Sequence, residues 1–354
     1  MRRRKLREAA SNNQGFTLLE LLVALIMSGV IFAGLMTIIV NFLQIDRREA
    51  KLDQLQQDTR RATDFMTDDL REAIYVYGQA AADPAVLDLG DLAPLVSAGS
   101  EPVLALWRPV PIEAADELAN IEVDCATEYT DADDEQECRV LQARRATYSL
   151  VIYAHRPNVA GEIWQGPARI ERYELPKYAD LGSATNPFAL ISASYIDPTD
   201  ASNVGDFNNF EAWTPPTGLT LTPATLVDQI GLNYTTEDAT ITDGTFVSAG
   251  CPRITGGAAG QYLAVPEDVT EDSSFYACVR DPAVVGVTNP QGAIRASQDV
   301  YLFVQGDARS GGTVRGETKT LDASDSYLNG ANESSKLPEI EARVLVGGGV
   351  NRDG

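Results

Sequence analysis

The first long apolar segment of the chain runs from Phe16 to Leu43 and contains one charged residue, Glu20. A helix of these 28 residues, with a rise of about 1.5 Å per residue, is roughly 42 Å long. That length allows a tilted crossing of a lipid bilayer. The pattern therefore predicts one transmembrane helix over residues 16–43. A carboxylate is costly in lipid, so we expect Glu20 to have a partner of opposite charge.

Apolar residues recur at spacings of three, four and seven between residues 44 and 77, which predicts an amphipathic helix. No proline or glycine interrupts this segment before Gly78, so one helix could run from residue 16 to residue 77. We expect its apolar stripe to pack on the protein's own globular head. The stripe contains Ile45, Leu52, Leu55, Thr59, Ala62, Met66, Ala73 and Tyr77, and is widened by Phe65, Leu70 and Ile74.

Beyond Gly78, short β-branched and aromatic runs alternate with turn-forming residues, a pattern typical of antiparallel strands. Residues 169–174 have the alternation of a half-exposed strand. Segments 176–225 and 306–338 are polar and predict long connections. The predicted strands are 103–107, 147–154, 168–175, 227–234, 274–280, 300–304 and 340–346.

These patterns together predict an α+β fold, in which a long N-terminal transmembrane helix packs on an antiparallel β-sheet head. We divide the chain into a basic leader (1–15), a transmembrane and assembly helix (16–43), an amphipathic extension (44–78) and a mainly-β head (79–354).

The leader is basic, whereas the rest of the chain is acidic. Residues 1–15 carry a net charge of +4 and the whole chain carries −23, so the remainder carries −27. Basic residues before an apolar span keep that end in the cytoplasm, and we expect the head on the other side of the membrane. So large a negative charge argues against nucleic acid as a partner.

Four cysteines follow the apolar span, in the part of the chain expected outside the cytoplasm, where disulfides form. Of the three pairings available, we favour Cys125–Cys138 and Cys251–Cys278, because these residues are nearest in sequence. Free or metal-bound thiols are the alternative. The chain has no Cys-x-x-Cys sequence and no histidine near a cysteine in sequence, which disfavours zinc.

Carboxylates cluster between the first two cysteines, where Asp131, Asp133 and Glu135 are candidate calcium ligands. The segment lacks the glycine and the closing glutamate of an EF-hand, so a solvated acidic loop is the alternative reading. We expect no other cofactor.

The chain has one histidine, His155, at the end of a predicted strand, and we expect it at the surface. A Ser-His-Asp or Cys-His site would depend on this residue, and no catalytic constellation accompanies it, so we do not expect an enzyme. Trp107, Trp164 and Trp213 could stack on a sugar ring; packing in or around the core is the alternative.

The string Gly15-Phe16-Thr17-Leu18-Leu19-Glu20, followed by further apolar residues, resembles the processing and assembly signature of type IV pilins and of type II secretion pseudopilins. The resemblance implies cleavage between Gly15 and Phe16 by a prepilin peptidase, and N-methylation of Phe16. It also implies that Glu20 pairs with the N-terminal amine of a neighbouring subunit. The implied partners are other pilins or pseudopilins, the peptidase and an inner-membrane assembly platform.

The same resemblance implies a single-pass inner-membrane protein with a cytoplasmic N-terminus and a periplasmic head, which could also enter an extracellular filament. Segments 42–49, 68–77, 102–107, 148–153 and 168–173 are similar to a narrower group, the cyanobacterial hormogonium polysaccharide secretion pseudopilins. They resemble J-type minor pseudopilins and W-type minor pilins more loosely. This implies a minor subunit that supports polysaccharide secretion and gliding motility. The alternative is a tip adhesin or cargo-binding minor pilin.

Overall fold

The chain forms two compact units, residues Met1–Asp53 and Gln54–Gly354. One long helix, α1 (Leu18–Glu72), contributes to both of them. Five residues of the predicted helix, from 73 to 77, leave it and turn into the first sheet. The computed structural model describes residues 17–78, 87–159, 162–164, 166–199, 210, 213–233, 251, 262–267, 269, 273–280, 298–307 and 337–346.

The part of α1 in the second unit buries the face that the sequence pattern predicts. Leu55, Ala62, Met66 and Leu70 are buried there, at spacings of seven and four. The prediction for Phe65 is wrong, because its side chain is 47% exposed. Phe65 follows Asp64 and precedes Met66, so it points about 100° away from the buried face.

Five strands form the first sheet in the spatial order β1-β2-β3-β4-β5, and every neighbouring pair is antiparallel. The pairing of β2 with β3 is the longest, extending from Pro111 opposite Ala146 to Glu101 opposite His155. The strands are β1 (Tyr75–Val76), β2 (Glu101–Pro111), β3 (Ala146–Pro157), β4 (Ala168–Leu175) and β5 (Ala224–Ile230).

A second antiparallel sheet has the order β6-β7-β8-β9. The Gln298 side chain joins it to the first sheet: its Nε2 donates to the Val76 carbonyl at 2.8 Å, and its Oε1 accepts from the Val76 amide at 2.9 Å. Residues from α1 and from both sheets share one hydrophobic core. The strands are β6 (Tyr262–Val265), β7 (Phe275–Arg280), β8 (Asp299–Val304) and β9 (Ile340–Leu345).

Three helices lie between β2 and β3, and the third, together with its N-cap Asp131, covers residues 131–135, for which the sequence predicted an acidic loop. They are α2 (Ala115–Ile121), α3 (Cys125–Glu128) and α4 (Ala132–Arg144). The loop reading of residues 131–135 is therefore wrong. Asp131 caps α4, since its carboxylate accepts a hydrogen bond from the Asp133 amide at 2.9 Å. The carboxylates that follow lie in the first helical turn, where the helix dipole favours negative charge.

The predicted antiparallel strands are present, and two further strands, β1 and β6, were not predicted. The half-exposed reading of 169–174 is wrong, because Arg169 and Glu171 are 3% and 1% exposed. The Arg169 Nε donates to a Glu171 carboxylate oxygen at 2.7 Å, so the two charges satisfy each other inside the protein. Polar alternation along a strand can therefore mark a buried ionic layer as well as a solvent face.

Candidate processing and assembly segment

The start of α1 is fixed by Thr17. Its hydroxyl accepts a hydrogen bond from the Glu20 amide at 3.3 Å, and its carbonyl accepts from the Leu21 amide at 3.2 Å. Thr17 is thus the N-cap of the helix, and Glu20 occupies its third position. The Thr-x-x-Glu spacing is the sequence signal of this cap, and the sequence reading did not use it. The expected cleavage residues, Gly15 and Phe16, lie outside the described residues.

Glu20 is exposed in the first turn of α1. The unpaired amides of that turn carry partial positive charge, which favours a carboxylate at this position. Within the described part of the chain, no ion pair or hydrogen bond reaches the Glu20 carboxylate. The side chain can therefore accept a positive group from another molecule, as the pairing with an N-terminal amine requires.

The surface of α1 from Leu18 to Leu43 is apolar on every side apart from a few polar residues, among them Glu20 and Asn41. Its large side chains are exposed, with values of 88% for Leu18 and 68% for Phe32. A helix that is apolar all round needs an apolar environment that the first unit does not supply. These 26 residues are long and apolar enough to cross a membrane. The helix is thus suited to lipid or to the helices of other subunits.

Two disulfides are present in the second unit, Cys125–Cys138 and Cys251–Cys278, the pairs favoured from the sequence. The first joins the start of α3 to the middle of α4. It lies in a small separate core with Ile112, Ile121, Leu141, Tyr178, Leu181 and Phe188. The disulfide therefore stabilises the helical insertion rather than the main sheets.

The three candidate calcium ligands have other interactions or face solvent. Asp131 caps α4, Glu135 pairs with Arg139, and Asp133 is exposed. Among the described residues, no group of three or more His, Cys, Asp or Glu is arranged to hold a metal ion. Calcium binding stays an untested expectation.

The surface prediction for His155 is wrong, because the residue is buried in β3 at 2% exposure. Its Nε2 lies 3.0 Å from the Gly231 carbonyl, to which the neutral ring donates a hydrogen bond. Burial lowers the pKa of His155 from 6.5 to about 4. The burial could not be read from the sequence, because it depends on β5 and on the chain that follows it. The ring is a structural donor inside the protein.

Two of the three tryptophans are core residues. Trp107 and Trp213 are buried with their rings 5.2 Å apart, edge to face. Trp107 Nε1 donates to the Tyr77 hydroxyl at 2.9 Å, and Trp213 Nε1 donates to the Ile196 carbonyl at 2.7 Å. Trp164 is partly buried under the Arg169 guanidinium. The core reading therefore holds for Trp107 and Trp213.

Comparison with known proteins gave one match, and it covers the start of α1 and the residues before it. The family model for the prokaryotic N-terminal methylation motif matches residues 10–36, which contain Gly15, Phe16, Thr17 and Glu20. Neither the curated proteins nor the solved structures gave a match. The matched motif supports a structural subunit of the type IV pilin or pseudopilin kind.

Proposed function

We propose that this chain is a minor pilin-like subunit of a type II secretion-like or type IV pilus-like filament. In this proposal, a prepilin peptidase cleaves after Gly15 and Phe16 is methylated. The match of residues 10–36 to the N-terminal methylation motif carries the proposal. The N-terminus starts in the cytoplasm, the head is periplasmic, and the helix is anchored in the inner membrane until the subunit is assembled.

The exposed apolar helix supports this assembly role. Leu18–Leu43 offers only apolar surface apart from Glu20, Asn41 and a few small hydroxyl side chains. Moved from lipid into a bundle of similar helices, the segment keeps an apolar environment. Glu20 then pairs with the methylated amine of the adjacent subunit, which neutralises its charge. This pairing sets the axial register between subunits. The partners are other pilins or pseudopilins and an inner-membrane assembly platform.

The role is mechanical, with no catalytic step on this chain. The buried, neutral His155 is bonded to a backbone carbonyl, and this interaction supports a structural role. We further propose, from the sequence resemblance to the hormogonium pseudopilins alone, that the filament supports export of polysaccharide and gliding motility.

Intact-mass measurement of the protein from its native membrane tests the processing step. In cells with the prepilin peptidase, we expect a chain that lacks residues 1–15 and carries one added methyl group. Cells without the peptidase should contain the uncleaved chain. An uncleaved N-terminus in peptidase-positive cells contradicts the proposal and leaves a membrane-anchored head.

A Glu20→Ala variant tests the assembly step. It should be cleaved and inserted normally, yet be lost from sheared filament fractions. Glu49→Ala is the matched control, because Glu49 is an exposed carboxylate of the same helix outside the apolar segment. Equal recovery of both variants in filaments would refute the register role of Glu20. Polysaccharide release in the Glu20→Ala strain then tests the proposed cargo separately.

A further inference from the structure

A lysine and two carboxylates meet at the edge of the helical insertion. The Lys177 Nζ lies 2.7 Å from Oδ2 of Asp197 and 2.6 Å from Oε1 of Glu137. All three side chains are largely buried, with exposed fractions of 14%, 18% and 26% in that order. Glu137 comes from α4, whereas Lys177 and Asp197 come from the segment between β4 and β5.

We propose that Lys177 and Asp197 become joined by an intramolecular isopeptide bond, with Glu137 as the proton-transfer group. The bond would form between Nζ of Lys177 and Cγ of Asp197, and the bond from Cγ to Oδ2 would break. Two protons of the lysine ammonium group leave with Oδ2 as one water molecule. The reaction needs no oxidant, reductant or other reactant, because an ammonium and a carboxylate contain all the atoms of an amide and a water.

The carboxylates of Asp197 and Glu137 accept different hydrogen bonds. This difference makes Asp197 the group that is attacked and Glu137 the group that transfers protons. The Oδ1 of Asp197 accepts from both the amide and the hydroxyl of Thr199, at 2.7 and 2.6 Å. These donors can stabilise the negative charge that develops on Oδ1 when Nζ attacks Cγ. Glu137 instead accepts hydrogen bonds at Oε1 from the Tyr178 hydroxyl and from Lys177 itself, so it can take a proton from Nζ and pass it to Oδ2.

A small cavity lies beside the three groups. Tyr178 and Tyr195, which are 5% and 7% exposed, line it together with Leu141, Thr147, Tyr148 and the charged Arg144. The cavity has room for roughly one water molecule, which is the leaving product. In the charged state, the Lys177 ammonium helps to hold the pKa of the Asp197 carboxyl below its usual range.

The bond would close the segment between β4 and β5 into a covalent loop. Residues 178–196 lie inside it, beside the insertion that Cys125–Cys138 already cross-links. The loop would then resist proteolysis and mechanical force. Unlike a disulfide, the bond would not depend on an oxidising compartment. Formation of this bond does not rest on the proposed filament role, and a failure of one leaves the other intact.

Mass spectrometry of the purified full-length chain, after reduction of both disulfides, decides the question. A proteolytic digest should contain one branched product in which the peptide with Lys177 is joined to the peptide with Asp197, one water lighter than their sum. Lys177→Arg keeps the positive charge and should give only the two separate peptides. Glu137→Gln should reduce the cross-linked fraction by at least tenfold.

Separate peptides at full mass in the unmodified protein would overturn the proposal and leave an ion pair. This outcome needs no variant, so it is independent of whether any variant folds. A branched product that joins Lys177 to Glu137 would overturn the assignment of roles. Asp197→Ala is preferred to Asp197→Asn as the second control, because an amide could form the same bond by loss of ammonia.

Discussion

The Asp69 carboxylate on α1 accepts a hydrogen bond from Arg172 on β4, with 2.9 Å between Oδ2 and Nε. The same carboxylate lies 3.1 Å from the Arg108 guanidinium of β2 and accepts from the Tyr153 hydroxyl of β3. Burial and the neighbouring Asp69 raise the pKa of Tyr153, so its hydroxyl stays protonated and donates. One helical carboxylate thus binds three adjacent strands.

Loss of this carboxylate should destabilise the second unit. Asp69→Ala leaves Arg172, which is 11% exposed, with only the more exposed Glu174 as its partner, and we expect a cost of about 1–3 kcal/mol. Urea unfolding of the full chain in detergent, followed by the fluorescence of the buried tryptophans, measures this cost. Asp68→Ala is the control, because that neighbouring carboxylate is 69% exposed. Equal midpoints for the two variants would show that the Asp69 cluster contributes little.

His155 should make the protein less stable as the pH falls from neutral towards 5. Its pKa is lowered from 6.5 to about 4 by burial, so in this window the unfolded chain binds a proton that the folded chain excludes. Stability therefore rises with pH between about 4 and 6.5, and the loss from pH 7 to pH 5 is about 2 kcal/mol. The measurement is the free energy of unfolding at a series of pH values.

A His155→Gln variant supplies the comparison, because the amide can still donate to the Gly231 carbonyl but does not titrate. Its stability should change less between pH 7 and pH 5 than that of the unmodified protein. The carboxyl groups of Glu162, Glu171 and Asp299 also have lowered pKa values, but their contributions are lost at lower pH than this window. Parallel pH profiles for the two proteins would contradict the assignment.

Gly166, two residues before β4, lies too close to the backbone of β5 to carry a side chain. A Cβ at this position would be 2.1 Å from the Asp228 carbonyl oxygen and 2.4 Å from the Gln229 Cα. Because both are backbone atoms, Gly166→Ala must displace a strand, at a cost of about 1–3 kcal/mol. Thermal unfolding should show this loss. Gly90→Ala, whose nearest atom is 3.9 Å away, should be nearly neutral, and a similar result for both would contradict the close approach.

Elements with local signals were predictable from the sequence. The apolar periodicity identified α1, and short β-branched runs identified β2 to β5 and β7 to β9. The Thr17 cap had a local signal that was not used. The buried positions of His155 and Glu171 had none, because each is created by residues far along the chain. Ser100 and Tyr173 both donate to Glu171, for example, and only the folded sheet brings Ser100 there.

The helices α2 to α4 were missed for a different reason. Their segment is dominated by carboxylates and has a weak apolar period, so it looks like a solvated loop. Their stability comes from the Asp131 cap, the Cys125–Cys138 disulfide and contacts with Tyr178 and Phe188, which lie in another part of the sequence. Short helices held by tertiary contacts and a covalent bond have little periodicity to detect.

The insertion leaves the sheet at Pro111 and returns at Ala146, two residues that face each other across the ladder. Its entry and exit are therefore next to one another, and the strand pairing does not depend on what lies between them. Related subunits could replace this helical insertion by a shorter or longer one and keep both the sheet and α1 unchanged. Surface diversity and the shared helical anchor would then evolve separately within one polypeptide.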